Sequence, residues 1–233
     1  MKEDIYIKDE LEDIVDAMKS SGDIDSISES GGAYTITTND GTGNLEDDFK
    51  VKIGDLYFRV STVTDTTFKV TSSTDISSET TWEMFLYFGF GSRLEIANIL
   101  TLKGREHEEK FDLIWLFTNY RETFPEDDET IDREVDITFA IVTNSEPSLK
   151  LTASQRYDQK FKTILYPLFK LLRSEIESSD KLIFEIGERL GVEKFDRFFY
   201  GSDESGRNVL NEPTDAIEFK TSIKFKNQYS NNC

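Results

Sequence analysis

Residues 152–176 read TASQRYDQKFKTILYPLFKLLRSEI, and this stretch sets the layer against which the rest of the chain folds. Tyr157, Phe161, Ile164, Leu165, Leu168, Leu172 and Ile176 recur three and four apart, which places them on one face of a long helix. Thr152 and Gln155 stand at its start with the spacing of a capping box, where each side chain satisfies the other residue's orphan backbone N–H. Pro167 falls inside the run. Its ring removes a backbone donor and crowds the carbonyl four residues back, so the spacing predicts a kink near Thr163.

Working outward, FDLIWLFT at 111–118 is a continuous apolar run, the pattern of a central strand buried on both faces, and VDITFAIVT at 135–143 continues that sheet. Between them PEDDETIDRE is read as a solvated loop, part of an acidic arm over 121–134. After the helix comes a mixed segment from Leu182 to Gly201 and a Gly/Asn/Pro loop. Ile217, Phe219, Thr221, Ile223 and Phe225 then alternate strictly, as in a half-buried strand. Towards the N-terminus, Ser92 and Glu95 form a second capping box, opening a short helix through Leu94, Ala97, Ile99 and Leu100 to Gly104.

The first third has a different pattern. Ile7, Leu11, Ile14, Val15 and Met18 mark one face of a helix over 4–19, ended by Ser20, Ser21 and Gly22. Residues 22–32 are rich in Ser, Asp and Gly with little to bury, and read as a linker. AYTITT, FKVKI, LYFRVSTV and TFKVTS follow as short alternating runs with Gly or Asp turns between them, a small antiparallel β module over 31–75. Its clearest hairpin is FKVKIGDLYFRV, turning at Gly54-Asp55. A module of this size is near the lower limit for independent stability and is expected to lean on a neighbour.

The expected class is therefore α/β of the α+β kind: a small mixed sheet flanked by an N-terminal helix and a long kinked helix, with a small antiparallel β module attached. Residues 1–22 are the N-terminal helix of the core, 23–82 the linker and inserted β module, and 83–233 the rest of the core with an extended C-terminal tail.

The chain has 233 residues, 37% of them hydrophobic, with 18 Phe and 9 Tyr spread along its length, enough for a genuine core. Its formal net charge is −19, from 46 acidic against 27 basic residues, scattered rather than gathered in a tail. Gripping duplex DNA, with one phosphate charge per ~1.7 Å, takes clustered Lys and Arg to displace counterions. The chain has no such cluster, which argues against specific nucleic-acid binding and against docking on an anionic membrane. The start of the chain lacks the apolar core of a signal peptide, and no apolar run is long enough to span a bilayer. A cytosol-like compartment is expected, unless the protein leaves in an assembled particle.

The chemistry-bearing residues are few. The lone histidine, His107, lies in GREHEEK among charged neighbours and reads as a surface residue, and the lone cysteine, Cys233, is the last residue. Zinc, haem and iron–sulfur sites need more ligands than these. Glu46-Asp47-Asp48 and Glu126-Asp127-Asp128-Glu129 are the candidate calcium clusters, but neither has the spaced acidic pattern with a distal Glu, and solvated loops fit them better. GFGSR lacks the third glycine of a phosphate-binding fingerprint. Tyr34, Tyr57 and Phe58 are candidates for stacking on sugars, weighed against a role in the core of the β module. No catalytic, cofactor-binding or metal residue is assigned, and no cofactor is expected.

Four stretches, FGFGSRLEIANILTLKG, KFDLIWLFTNYRET, DITFAIVTNSEP and QRYDQKFKTILYPLFKLLRSEI, resemble neck and tail ring proteins of crAss-like and related phages of gut Bacteroidetes. Arg156, Tyr157, Phe161, Leu165, Tyr166 and Pro167 carry the most specific part, and the resemblance covers residues 1–20 and 88–228. The element order also resembles the fold of phage tail-terminator and head–tail joining proteins. What the resemblance implies is a virion structural protein, assembled in the host bacterial cytoplasm: a homo-oligomeric ring stacked on portal, neck or tail rings, through which DNA passes without specific binding. It implies no enzymatic activity and no membrane partner. On that reading the surplus carboxylates either line a lumen that repels DNA or keep the free subunit soluble. The alternative is a non-enzymatic binding module, the β module recognising a saccharide or protein on an α/β scaffold.

Overall fold

The structure is a computed structural model describing residues 6–92, 95, 111–124, 131–144, 152–185, 192–198 and 214–226. It has the α+β class expected, with helices and two sheets.

The first sheet has six antiparallel strands: β1 (Ser21–Ser30), β2 (Ala33–Thr38), β3 (Lys50–Ile53), β4 (Leu56–Arg59), β5 (Thr67–Thr71) and β6 (Thr81–Met84), in the order β4-β3-β6-β1-β2-β5. Just past β4, Ser61 exchanges both backbone hydrogen bonds with Lys69 of β5, each at 2.8 Å, so the two outer strands meet and the sheet closes into a small barrel. Tyr34, Ile36, Val51, Ile53, Phe68, Val70, Trp82 and Met84 are buried, and Phe68 meets Trp82 edge to face at 5.1 Å. The Gly54-Asp55 hairpin is as expected; Gly54 has φ +59°, and a Cβ there would lie 2.7 Å from the Glu79 carboxylate.

The linker expected at 22–32 is instead β1, paired with β2 on one side and β6 on the other. Its register shifts between Ile24 and Ser26. A bulge adds one residue, so Ile24 and Ile27, three apart, both pack on the core. Main-chain pairing on both sides holds a strand that has little else to bury. At the other boundary, β6 carries Trp82 and Met84 into the barrel interior, so the module runs from Ser21 to Met84 rather than over 31–75.

The second sheet is built on a long antiparallel ribbon, β10 (Ile131–Asn144) with β13 (Thr214–Lys226). On one side of it lie β8 (Leu113–Phe117) and β9 (Arg121–Thr123), and on the other β11 (Leu182–Glu185) and β12 (Val192–Phe198). β7 (Tyr87–Gly91) joins β8 in parallel. All five residues of β8 are buried, as a strand covered on both faces requires; β13, expected to be half-buried throughout, is buried on both faces over Thr214–Phe219 and alternates only towards its end, where Ile223 and Phe225 are buried between less buried neighbours. The acidic arm is shorter than read: Arg121–Thr123 and Ile131–Glu134 are strand, and 125–130 lie outside the described residues.

The helices cover one face of this sheet. α1 (Ile7–Met18) buries Ile7, Leu11, Ile14, Val15 and Met18, the stripe read from the sequence. The long helix begins as α2 (Ala153–Arg156), passes through π-helical turns (Tyr157–Leu165) and ends as α3 (Tyr166–Ser178). Its Thr152/Gln155 capping box is present in both directions. Pro167 sits just where the π turns give way to α3, and the N–H of Tyr166 donates to the carbonyl of Phe161, five residues back. Where a kink near Thr163 is expected, the structure has a wider turn; bonding to i−5 moves the backbone away from the proline ring. The same widening takes Tyr157 off the buried stripe, leaving it 38% exposed, while Phe161, Ile164, Leu165, Leu168, Leu172 and Ile176 stay buried.

Phe139 stacks on Phe219 at 5.3 Å, and Phe169 of α3 meets Phe219 edge to face at 4.9 Å, which locks helix layer to sheet. This core is continuous with that of the barrel. Leu113, Trp115, Phe117, Ala140, Val142 and Ala216 form a second cluster on the opposite face. Each large apolar side chain so buried stabilises the fold by about 1.5–3 kcal/mol relative to exposure. The Ser92/Glu95 box forms its two reciprocal bonds, at 2.7 and 3.3 Å, and the rest of its expected helix lies outside the described residues.

Candidate functional site

Among the described residues, a buried polar cluster lies where the barrel meets the second sheet. FKVKIGDLYFRV brings Lys50 to the start of β3 and Arg59 to the end of β4, opposite one another in register. FDLIWLF puts Asp112 at the head of a wholly apolar strand, and Thr143, one residue before the end of β10, stands beside it. Asp112 is 1% exposed. Arg59 grips it with both arms of the guanidinium: Nη1 donates to Oδ2 at 2.6 Å and Nη2 to Oδ1 at 3.0 Å. Thr143 Oγ1 donates to Oδ1 at 2.6 Å, and Lys50 Nζ donates to the carbonyl of Phe111. Arg59 Nη1 also donates to the carbonyl of Asp48 at 2.8 Å. Buried Asp215 stands opposite Thr143 on β13.

Burial alone would push the Asp112 carboxyl up. The charge and hydrogen bonds of Arg59, the Lys50 ammonium and the Thr143 hydroxyl outweigh it and hold the group below its ordinary range. A carboxylate with both oxygens engaged in this way is a poor base and a poor nucleophile at neutral pH. Its geometry suits a mechanical join between two sheets, since a planar guanidinium matches a carboxylate in one orientation.

Two open grooves lie apart from the join, with none of its residues in their linings. One, of ≈ 760 Å³, crosses the outer face of the second sheet and is lined by Tyr120, Arg121, Asp136, Thr138, Lys220 and Thr221 among others. The other, of ≈ 390 Å³, lies on the barrel beside Asp23, Lys52, Thr81 and Glu83, where Lys52 and Glu83 pair at 3.7 Å. Both linings mix opposite charges with hydroxyl groups, which fits polar contacts better than an apolar ligand.

The residues singled out in the sequence are not brought together. Glu46-Asp47-Asp48 forms a turn, with the Phe49 N–H donating to the Glu46 carbonyl and the Val63 N–H to Asp47 Oδ1. Among the described residues no group of three or more His, Cys, Asp or Glu is placed to hold a metal ion, and no helix is long and apolar enough to cross a membrane. His107, Cys233 and Glu126–Glu129 lie outside the described residues. GFGSR begins in edge strand β7. Tyr34 is buried in the barrel, Tyr57 is half-buried against Phe85 at 4.9 Å, and Phe58 packs on the core. The Arg59–Asp112 join is absent from the sequence reading, although one signal for it exists: an aspartate leading an entirely apolar strand has to be buried with a cation. Comparison with known proteins finds no matching family, no matching curated protein and no matching solved structure.

Proposed function

We propose that the chain is a non-enzymatic structural subunit, one protomer of a ring in the neck or tail connector of a tailed phage. It stacks on portal, neck or tail rings, DNA passes through the lumen, and the ring is carried in the virion. The observation supporting this most is the Arg59–Asp112 join. A subunit that transmits load between layers needs its parts held at one angle, and a buried carboxylate gripped bidentately by a guanidinium contributes more to fixed geometry than to net stability. The polar groups around Asp112 are accordingly used in holding the barrel to the sheet. The assembly itself rests on the four sequence stretches quoted above and on the order of elements.

Mass photometry and negative-stain imaging of the purified chain, with mass spectrometry of purified virions, test the reading. Closed rings and incorporation into particles are expected. A strict monomer absent from virions removes the proposal. Retention of that monomer on a glycan column would put a saccharide-binding module in its place.

A further inference from the structure

The π-helical turns carry an exposed cluster that neither the join nor the grooves involve. Lys194 of β12 holds its ammonium 5.1 Å from the ring centre of Tyr157 and 5.2 Å from that of Tyr166. Lys162 stands 5.4 Å from the Tyr157 ring, and the two tyrosines meet edge to face at 6.4 Å. Asp158 shares this surface and pairs with Lys162 at 2.5 Å. Glu193, next to Lys194, projects from the opposite face of the strand. On a chain of net charge −19, this is a local concentration of cations on aromatic rings.

A chemical complement lies at the end of β9. Phe124 is 63% exposed and is followed in sequence by Pro125-Glu126-Asp127-Asp128-Glu129. An exposed aromatic beside four acids matches exposed aromatics beside lysines: ring can pack on ring while carboxylates meet ammonium groups. The two surfaces cannot meet within one chain. Lys194 is level with Ile217 and Ile141 across the sheet. Ile131, where the acidic run rejoins β10, is about 33 Å from Ile141 along the strand. A run of 125–130 that leaves Phe124 and returns to Ile131 reaches at most about 12 Å.

We propose that the patch of Tyr157, Tyr166, Lys162 and Lys194 is the docking surface for residues 124–129 of a second copy of this chain, a contact that repeats head to tail. The inference rests on the ring reading above and names the surfaces that close the ring.

Charge exchange on the full chain tests it. Lys162→Glu with Lys194→Glu reverses the patch, and Asp127→Lys with Asp128→Lys reverses the arm. Each double variant should keep the wild-type circular dichroism and raise the concentration needed for assembly by about tenfold or more, the scale of cross-interface charge pairs. Mixed one to one, the variants should assemble again, because native arm meets native patch at one junction and reversed arm meets reversed patch at the next. Rings that form equally well in both variants overturn this inference and leave the ring reading standing. Loss on reversing the patch alone overturns the acidic run as the occupant. A wild-type chain that stays monomeric overturns the ring reading and this contact with it.

Discussion

In the barrel the Ser61–Lys69 bridge closes the wall, and main-chain pairing around the ring holds even β1, which carries little apolar surface, beside strands that bury Ile36, Val51, Phe68 and Trp82 inside. In the second sheet, β8 and the first half of β13 are buried on both faces, and every residue there has to be tolerated by a core. The contrast is between a fold held by closure and a fold held by layers. The two share a continuous apolar core and the Arg59–Asp112 ion pair, from which unfolding as a single cooperative unit is expected.

That unity can be broken in graded steps, read through the two tryptophans, Trp82 in the barrel and Trp115 in the second sheet. Single-tryptophan variants, Trp115→Phe or Trp82→Phe, isolate each signal. The largest effect is expected from truncating the core: Phe68→Ala in the barrel and Phe139→Ala in the sheet each lower stability by about 3–5 kcal/mol. Urea midpoints from both tryptophans should move together; movement at one alone would dissolve the single unit into two.

Arg59→Ala comes next, at about 2–4 kcal/mol, below the cost at a fully buried pair because the Arg59 side chain is partly exposed. It leaves Asp112 desolvated without its main cation. The two fluorescence transitions should separate, the Trp82 signal changing at lower urea, and coincident transitions would show that the apolar core alone couples the regions.

Acid should act on the same pair. The Asp112 carboxyl is held below its unfolded value, so its contribution is fully present above the ordinary carboxylate range and is lost as pH falls through and below that range. The gap in urea midpoint between wild type and Asp112→Asn should hold steady from neutral pH down to the ordinary carboxylate range and narrow as pH falls through and below it. A gap that stays constant through that lower interval would remove the charge from the account. The smallest effect is expected at the helix layer, where Thr152→Ala removes one side of the capping box and costs about 1 kcal/mol in thermal or urea unfolding.

The same contrast governs what could be read from the residues alone. The layered part was legible where burial writes a regular pattern: β8 and the helix stripe from Phe161 to Ile176 are where the periodicities put them, whereas the first half of β13, read as half-buried, is covered on both faces. Tyr157 fell outside because the helical period assumes i−4 bonding and the π turns do not have it. In the barrel the obvious hairpin was legible, but β1 was not. It contributes only Ile24 and Ile27 to the core, and a bulge between them breaks the period of two that marks a strand. The join was hidden for another reason: Arg59 and Asp112 are far apart in sequence, and an ion pair between remote residues leaves no periodic trace.

The chain passes into the barrel through β1 and out through β6, and these strands lie side by side, with Ser21 opposite Glu83 and the Met84 N–H donating to the Ser20 carbonyl at 2.6 Å. With entry and exit this close, a short bridge would span the gap left by removing the lobe, although the shared apolar core would then be exposed. Any lineage that discards the lobe inherits a stranded negative charge at position 112. A neutral residue there should therefore accompany every barrel-less descendant.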